Sequence, residues 1–76
     1  MPHVSVKMFP GRSRAQKEAL AAAIAEALKT HVGSSDSSIS VAIEDVAPEN
    51  WTAAVYDPDI APLMDQLFKK PGYKRA

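Results

Sequence analysis

The sequence contains no cysteine, so neither disulfide bonds nor thiolate zinc sites can stabilise it. Two histidines, His3 and His31, are too few for a convincing metal site. A chain of 76 residues fits a single domain, residues 1–76. Because one core of this size rarely contributes more than roughly 3–5 kcal/mol to stability, we expect the chain to self-associate.

An excess of charge is also lacking, since nine basic residues balance nine acidic ones. Nucleic acid is therefore not an expected partner, because phosphate binding needs a net basic face. No apolar run approaches the roughly 20 residues of a membrane span, so a membrane is not expected either. No secretory apolar region follows Met1. We expect a cytoplasmic protein, in keeping with the missing cysteine.

Two segments alternate between apolar and polar side chains, the period of a strand with one apolar face. The first covers residues 3–9, with Val4, Val6 and Met8 on the apolar face. The second covers residues 39–46, with Ile39, Val41 and Ile43 on the apolar face.

A helix is predicted between these strands. The Ser13 hydroxyl can cap its first turn, and Gln16 completes a capping box. The helix should end near Val32, before Gly33. Its predicted apolar stripe consists of Leu20, Ile24, Ala27, Leu28 and His31. Strand, helix and strand predict an α/β fold, a βαβ unit with parallel strands and a right-handed crossover.

The last third of the chain is less regular. Pro48 and Asn50 predict a turn, and so does the pair Asp57-Pro58. Residues 53–56 fit either a short strand or a helical turn. A short C-terminal helix should start with Pro62 in its first turn, where the missing N–H costs nothing, and end near Lys70. Its predicted apolar face consists of Leu63, Met64, Leu67 and Phe68.

Pro2 is a candidate catalytic residue because an initiator Met before a small residue is generally removed. Pro2 would then carry a free secondary amine. Burial or a nearby cation would lower the pKa of that amine, and an amine that is neutral near pH 7 is a good general base. Proline at this position is also common for reasons unrelated to function.

Arg12 and Trp51 are candidate substrate-binding residues. Arg12 immediately precedes the predicted helix N-terminus, where anions are favoured, and its guanidinium can bind a carboxylate through two hydrogen bonds. A solvated arginine beside a cap is the other interpretation. Trp51 is the single tryptophan, and it fits a core or a subunit interface as well as a substrate site.

Taken together, these residues resemble the tautomerase superfamily, typified by 4-oxalocrotonate tautomerase. The resemblance consists of Pro2, the step Gly11-Arg12-Ser13 and the following helix, over about residues 2–51. It implies that Pro2 is the catalytic base, that Arg12 binds the substrate carboxylate and that Trp51 helps to desolvate the proline. The implied architecture is a tautomerase-like β-α-β unit whose parallel strands complete a sheet in an oligomer.

The C-terminal half resembles one subgroup, the dimeric phenylenolpyruvate-type tautomerases. The matching segments are residues 37–40, 60–62 and 69–73. This resemblance implies a homodimer. The family's second substrate arginine aligns with Ser40, which disfavours a dicarboxylate and favours a 2-oxo acid enol with an apolar tail. Ser40 is thereby a third candidate substrate-binding residue, and Lys7, Ser40 and His3 are candidate donors to the developing oxyanion.

The expected function is keto–enol isomerisation of a small 2-oxo acid enol such as phenylenolpyruvate. We expect neither a metal nor a cofactor, because one group of suitable pKa makes both proton transfers. Two alternatives remain open. One is a dehalogenase or hydratase of unsaturated acids within the superfamily, in which a charged proline acts as an acid. The other is a non-catalytic dimeric binding module, which a retained Met1 would favour. Which residues cross from a partner subunit is also open.

Overall fold

The computed structural model describes residues 1–75. The chain divides into two compact units, Met1–Asp45 and a second that begins at Val46, and each is described by itself. That the whole chain is a single domain stays a prediction.

The first unit is the predicted βαβ unit. Strand β1 covers His3–Met8, helix α1 covers Arg14–Val32 and strand β2 covers Ser40–Asp45. The two strands pair in parallel, in a register that places His3 opposite Ser40 and Met8 opposite Asp45. A 3₁₀ turn, Asp36–Ser38, lies in the loop before β2. The predicted strands, helix and parallel pairing are confirmed.

Both ends of α1 form as the sequence predicts. The backbone N–H of Gln16 donates to the Ser13 hydroxyl at 3.1 Å, and the Gln16 side chain accepts from the Ser13 backbone N–H at 2.8 Å. At the other end Gly33 takes the left-handed conformation, with φ 68°, which a residue with a Cβ adopts only at a cost. Its N–H contacts the carbonyl oxygens of Leu28 and Lys29.

One side of α1 is half-buried, and the predicted apolar stripe matches the residues on that side only in part. Leu20, Ile24 and Leu28 lie on this side, whereas Ala27 and His31 are exposed. Since successive residues are about 100° apart around a helix, Ala27 falls beside the face centred on Leu28. The half-buried residues of this face are Lys17, Leu20, Ala21, Ile24, Ala25, Leu28 and Lys29.

The second unit is helical but irregular. A 3₁₀ turn, Pro48–Asn50, is followed by a π-helix, Thr52–Ile60, and a 3₁₀ helix, Ala61–Gln66. The predicted turn at Pro48 is confirmed, and residues 53–56 are helical rather than extended. The buried residues of the described chain, Val46, Val55 and Tyr56, all belong to this unit.

Three predictions for this unit are wrong. Pro58 lies inside the π-helix rather than in a turn, because the wider turn relieves the clash between a proline ring and the carbonyl four residues earlier. The C-terminal helix has Pro62 in its first turn, as predicted, but it ends at Gln66. Leu67 and Phe68 therefore lie beyond the helix, and Leu63 and Phe68 are exposed rather than packed.

Candidate functional site

Pro2 lies at the edge of the sheet where both strands begin. It immediately precedes β1, and its carbonyl oxygen accepts a hydrogen bond from the Ser40 backbone N–H at 3.2 Å. Pro2 is half-buried, whereas Met1 is fully exposed. The pairing of the strands therefore fixes the backbone of Pro2 and leaves the preceding residue in solvent.

Ser40 joins this edge through a second contact. His3 and Ser40 are opposite each other in the strand register, and the imidazole Nδ1 of His3 lies 2.6 Å from the Ser40 hydroxyl. Both residues are exposed. Pro2, His3 and Ser40 thus lie together where both strands begin. We call these three residues the amino edge of the sheet.

Arg12 lies beyond the opposite end of β1. Gly11 turns the chain there with φ 122°, and nothing lies within 4 Å of the Cβ that a larger residue would add. The turn therefore favours glycine for its backbone conformation rather than for space. Arg12 follows directly, exposed, ahead of the Ser13 cap.

A cleft of about 200 Å³ adjoins Arg12. It is lined by Met8, Arg12, Gln16, Lys17 and Leu20. The Lys17 ammonium binds the Asp45 carboxylate at 2.9 Å, which links α1 to the end of β2. The cleft thus combines the apolar side chains of Met8 and Leu20 with the guanidinium of Arg12. Its lysine has its charge neutralised by Asp45. We call Arg12, the cleft beside it and the Lys17–Asp45 pair, where both strands end, the carboxyl edge of the sheet.

Within one chain, Pro2 and Arg12 lie at opposite edges of the sheet. Six residues of β1 separate the two edges, and a strand rises about 3.3 Å per residue, or about 20 Å in all. One small substrate does not span that distance. The structure therefore brings Ser40 to Pro2 but does not bring Arg12 of the same chain to them.

Trp51 belongs to the second unit, directly after the turn Pro48–Asn50. Its indole N–H donates to the hydroxyl of Tyr73 at 3.0 Å. Tyr73 in turn lies against Tyr56, with ring centroids 5.9 Å apart. The sequence analysis does not identify Tyr73 as a partner of Trp51, because the two are 22 positions apart and the segment between them carries no periodic signal that pairs the two rings.

An ion pair stands beside this aromatic group. The Arg75 guanidinium donates to both carboxylate oxygens of Asp57, at 2.9 and 3.2 Å. These hydrogen bonds lower the pKa of the Asp57 carboxyl and raise the pKa of Arg75. Both side chains are close to half exposed, so solvent screens the pair.

Among residues 1–75, no group of three or more histidine, aspartate or glutamate side chains is arranged to hold a metal ion. In the same part of the chain, no helix has both the length and the apolar character that crossing a membrane requires.

Known proteins match the chain in sequence over nearly its whole length. The family model described as "Tautomerase enzyme" matches residues 2–56. "Tautomerase PptA" of Enterobacter sp. (strain 638) is 53% identical over 74 residues, which cover 96% of this chain and 97% of that protein. "Tautomerase PptA" of Pectobacterium carotovorum subsp. carotovorum (strain PC1) is 50% identical, with the same coverage.

Solved structures agree with the sequence matches. YwhB, a homologue of 4-oxalocrotonate tautomerase, superposes with a TM-score of 0.59 and 41% identity, over 60% of this chain and 75% of that one. A 4-oxalocrotonate tautomerase isozyme from Methylibium petroleiphilum has a TM-score of 0.63 and 32% identity, over 66% and 81% of the two chains.

The family match covers more than half of the chain, and the βαβ unit is the fold that the solved tautomerases share with it. The predicted family and fold class are therefore confirmed, and a non-catalytic binding module is set aside. The protein is an isomerase that interconverts keto and enol forms, and the chain belongs to the tautomerase family.

Proposed function

We propose that the protein ketonises enols of 2-oxo acids such as phenylenolpyruvate, with the amine of Pro2 as the general acid and base after removal of Met1. The observation that carries the proposal is the position of Pro2. Its carbonyl is bonded to Ser40 at the start of β1, and the family match begins at this same residue.

In the proposed reaction the neutral Pro2 nitrogen takes the proton of the enol hydroxyl. The oxygen electron pair forms the C=O bond, and the electrons of the C=C bond take the proton from the Pro2 ammonium at carbon. Such proton transfer contributes about 10²–10⁴ in rate. Donors to the developing oxyanion would contribute the remainder, and the His3–Ser40 pair at the amino edge is suited to that role.

The distance between Pro2 and Arg12 along β1 supports a complete site built from two copies of the chain. If the carboxyl edge of a second copy lies against the amino edge of the first, Arg12 of the second copy would lie beside Pro2 of the first. A twofold axis would then create two equal sites. Arg12 of one copy would bind the substrate carboxylate, and Trp51 would contact the aryl ring.

Exposure of the first unit supports a homodimer. None of residues 1–45, all of which the structure describes, is fully buried in the single chain. A two-stranded sheet is also marginal in water without further strands or packing. A partner copy would extend the sheet and cover the half-buried apolar positions. The cytoplasmic location expected from the sequence stays a prediction.

The test is an ultraviolet assay of phenylenolpyruvate ketonisation. Protein that begins at Pro2, verified by intact mass, should turn over the enol, and protein with one extra N-terminal residue should not. Pro2→Ala retains a primary amine and should keep part of the activity. Equal rates for the processed and the extended protein would show that the amine is not the base.

A further inference from the structure

The last described residues of the chain return to the segment around Trp51. The Tyr73 hydroxyl accepts the indole N–H of Trp51 at 3.0 Å, and the Tyr73 ring is tilted by 50° against that of Tyr56. Two residues later, Arg75 binds Asp57 through two hydrogen bonds. We call Tyr73 and Arg75 the C-terminal clasp.

Two of the three contacts of the clasp differ in kind. The Arg75–Asp57 pair is solvated, with side chains 59% and 44% exposed, so it contributes little to stability. The contact between Tyr73 and Trp51 is directional, because an indole has a single N–H donor and no acceptor. The Tyr73 hydroxyl therefore fixes the direction of the indole, and the solvated ion pair adds a second, weaker contact between the tail and the same segment.

We propose that Tyr73 is a positioning residue that holds the indole of Trp51 in the orientation in which it receives the aryl ring of the substrate. This inference rests on the proposed function, in which Trp51 contacts that ring. A side chain that is already ordered does not lose further conformational freedom when the ligand binds. The contribution of Tyr73 therefore lies in binding the aryl group, not in proton transfer at Pro2.

The first test uses fluorescence, since Trp51 is the single tryptophan of the chain. Tyr73→Phe keeps the ring against Tyr56 and removes the hydroxyl that accepts the indole N–H. The emission maximum should move to longer wavelength, and quenching by acrylamide should increase. Lys74→Ala, an exposed position in the same tail, is the matched control and should leave both unchanged.

The second test is kinetic. Tyr73→Phe should raise KM for phenylenolpyruvate about two- to ten-fold, the range of one neutral hydrogen bond, and leave kcat unchanged. KM for an enol without a ring should not change. When Trp51 is already replaced by Phe, the Tyr73 substitution should have no additional effect on KM.

Two results would overturn the inference: an emission spectrum that Tyr73→Phe leaves unchanged, or a changed spectrum with an unchanged KM for the aryl substrate. The proposed function fails by a different result, namely inactivity of the processed wild-type protein toward the enol. In that event the emission spectrum still decides whether Tyr73 fixes the indole.

Discussion

The imidazole Nδ1 of His3 lies 2.6 Å from the hydroxyl Oγ of Ser40, across a register pair of two parallel strands. The backbone N–H of the same serine holds the carbonyl of Pro2. Ser40 therefore contacts two residues of the amino edge: its backbone N–H binds Pro2, and its side chain contacts His3. A substitution at this position changes the polar group next to Pro2 while the strand pairing stays in place.

Ser40→Arg should improve turnover of a dicarboxylic enol. The new guanidinium would add a cation at the amino edge, where a second substrate carboxylate could bind. Hydrogen bonds to charged groups are worth more than neutral ones, so kcat/KM for the dicarboxylic enol should rise roughly ten-fold. Steady-state kinetics with a dicarboxylic and a monocarboxylic enol measures the change in preference.

Ser40→Gln is the matched control, since it adds length without charge. It should leave the preference between the two substrates unaltered. An arginine variant with the same preference as the wild type would place position 40 away from the substrate.

Mixing two inactive variants should restore activity if each site uses two copies. One variant has a blocked N-terminus and an intact Arg12, and the other carries Arg12→Gln with Pro2 free. In a twofold dimer, random exchange makes half of the dimers mixed, each with one complete site out of two. Activity should return to about a quarter of the wild-type value.

This recovery is measured after the mixture has been unfolded and refolded together, with each variant refolded alone as the control. If the mixture stays as inactive as its components, Pro2 and Arg12 do not act together across subunits.

Gly11→Ala should weaken substrate binding more than it weakens folding. The backbone at Gly11 has φ 122°, a region that alanine avoids, so the turn that presents Arg12 would change. KM for a carboxylate substrate should rise several-fold, while kcat changes less. Steady-state kinetics is paired with urea unfolding at equal protein concentration.

Gly33→Ala provides the comparison, because Gly33 also has a positive φ but lies at the other end of α1. It should cost about 1 kcal/mol of stability and leave KM near the wild-type value. Equal effects of both variants on KM would mean that Gly11 acts through stability alone.

Acid should release the Arg75–Asp57 pair only well below neutral pH. The hydrogen bond from Arg75 lowers the pKa of Asp57 from its ordinary 3.8. A carboxyl with a lowered folded-state pKa stabilises the folded protein above its unfolded pKa, and this contribution is lost as the pH falls through the folded value. An NMR titration of the Asp57 carboxyl carbon should therefore give a midpoint below 3.8.

Arg75→Gln should move this midpoint back toward 3.8, since the charged donor is gone. The Asp36 carboxyl, whose pKa is lowered by Lys29, lies in the first unit and should titrate identically in both proteins. A wild-type Asp57 midpoint at or above the ordinary value would mean that the pair does not persist in solution.

The first unit is predictable because its signals are local and agree with one another. Alternation identifies both strands, and the capping box of Ser13 and the stop at Gly33 define the helix ends. The second unit is not predictable from such local signals. Proline usually marks a turn, whereas the π-helix contains Pro58 in its interior. The predicted apolar face of the C-terminal helix is wrong at Phe68, because the 3₁₀ helix ends at Gln66, before this residue.

The candidate site is predictable only in its parts. Parallel pairing of the two predicted strands is enough to expect Ser40 near Pro2. The position of Arg12 at the far edge follows from the length of β1. In the proposed dimer the proline that Arg12 serves belongs to the second copy, and single-chain periodicity contains no information about such a pairing. The contact of Tyr73 with Trp51 depends on the path of an irregular tail.

The most direct test of the account is a titration of the Pro2 nitrogen by ¹⁵N NMR in processed protein, compared with the pH dependence of kcat/KM for phenylenolpyruvate. We expect a secondary amine that titrates below neutral pH, with the same midpoint as the acid limb of the kinetic profile. An acylated nitrogen in the active protein, or an amine that stays protonated well above neutrality while the enol is turned over, would contradict it.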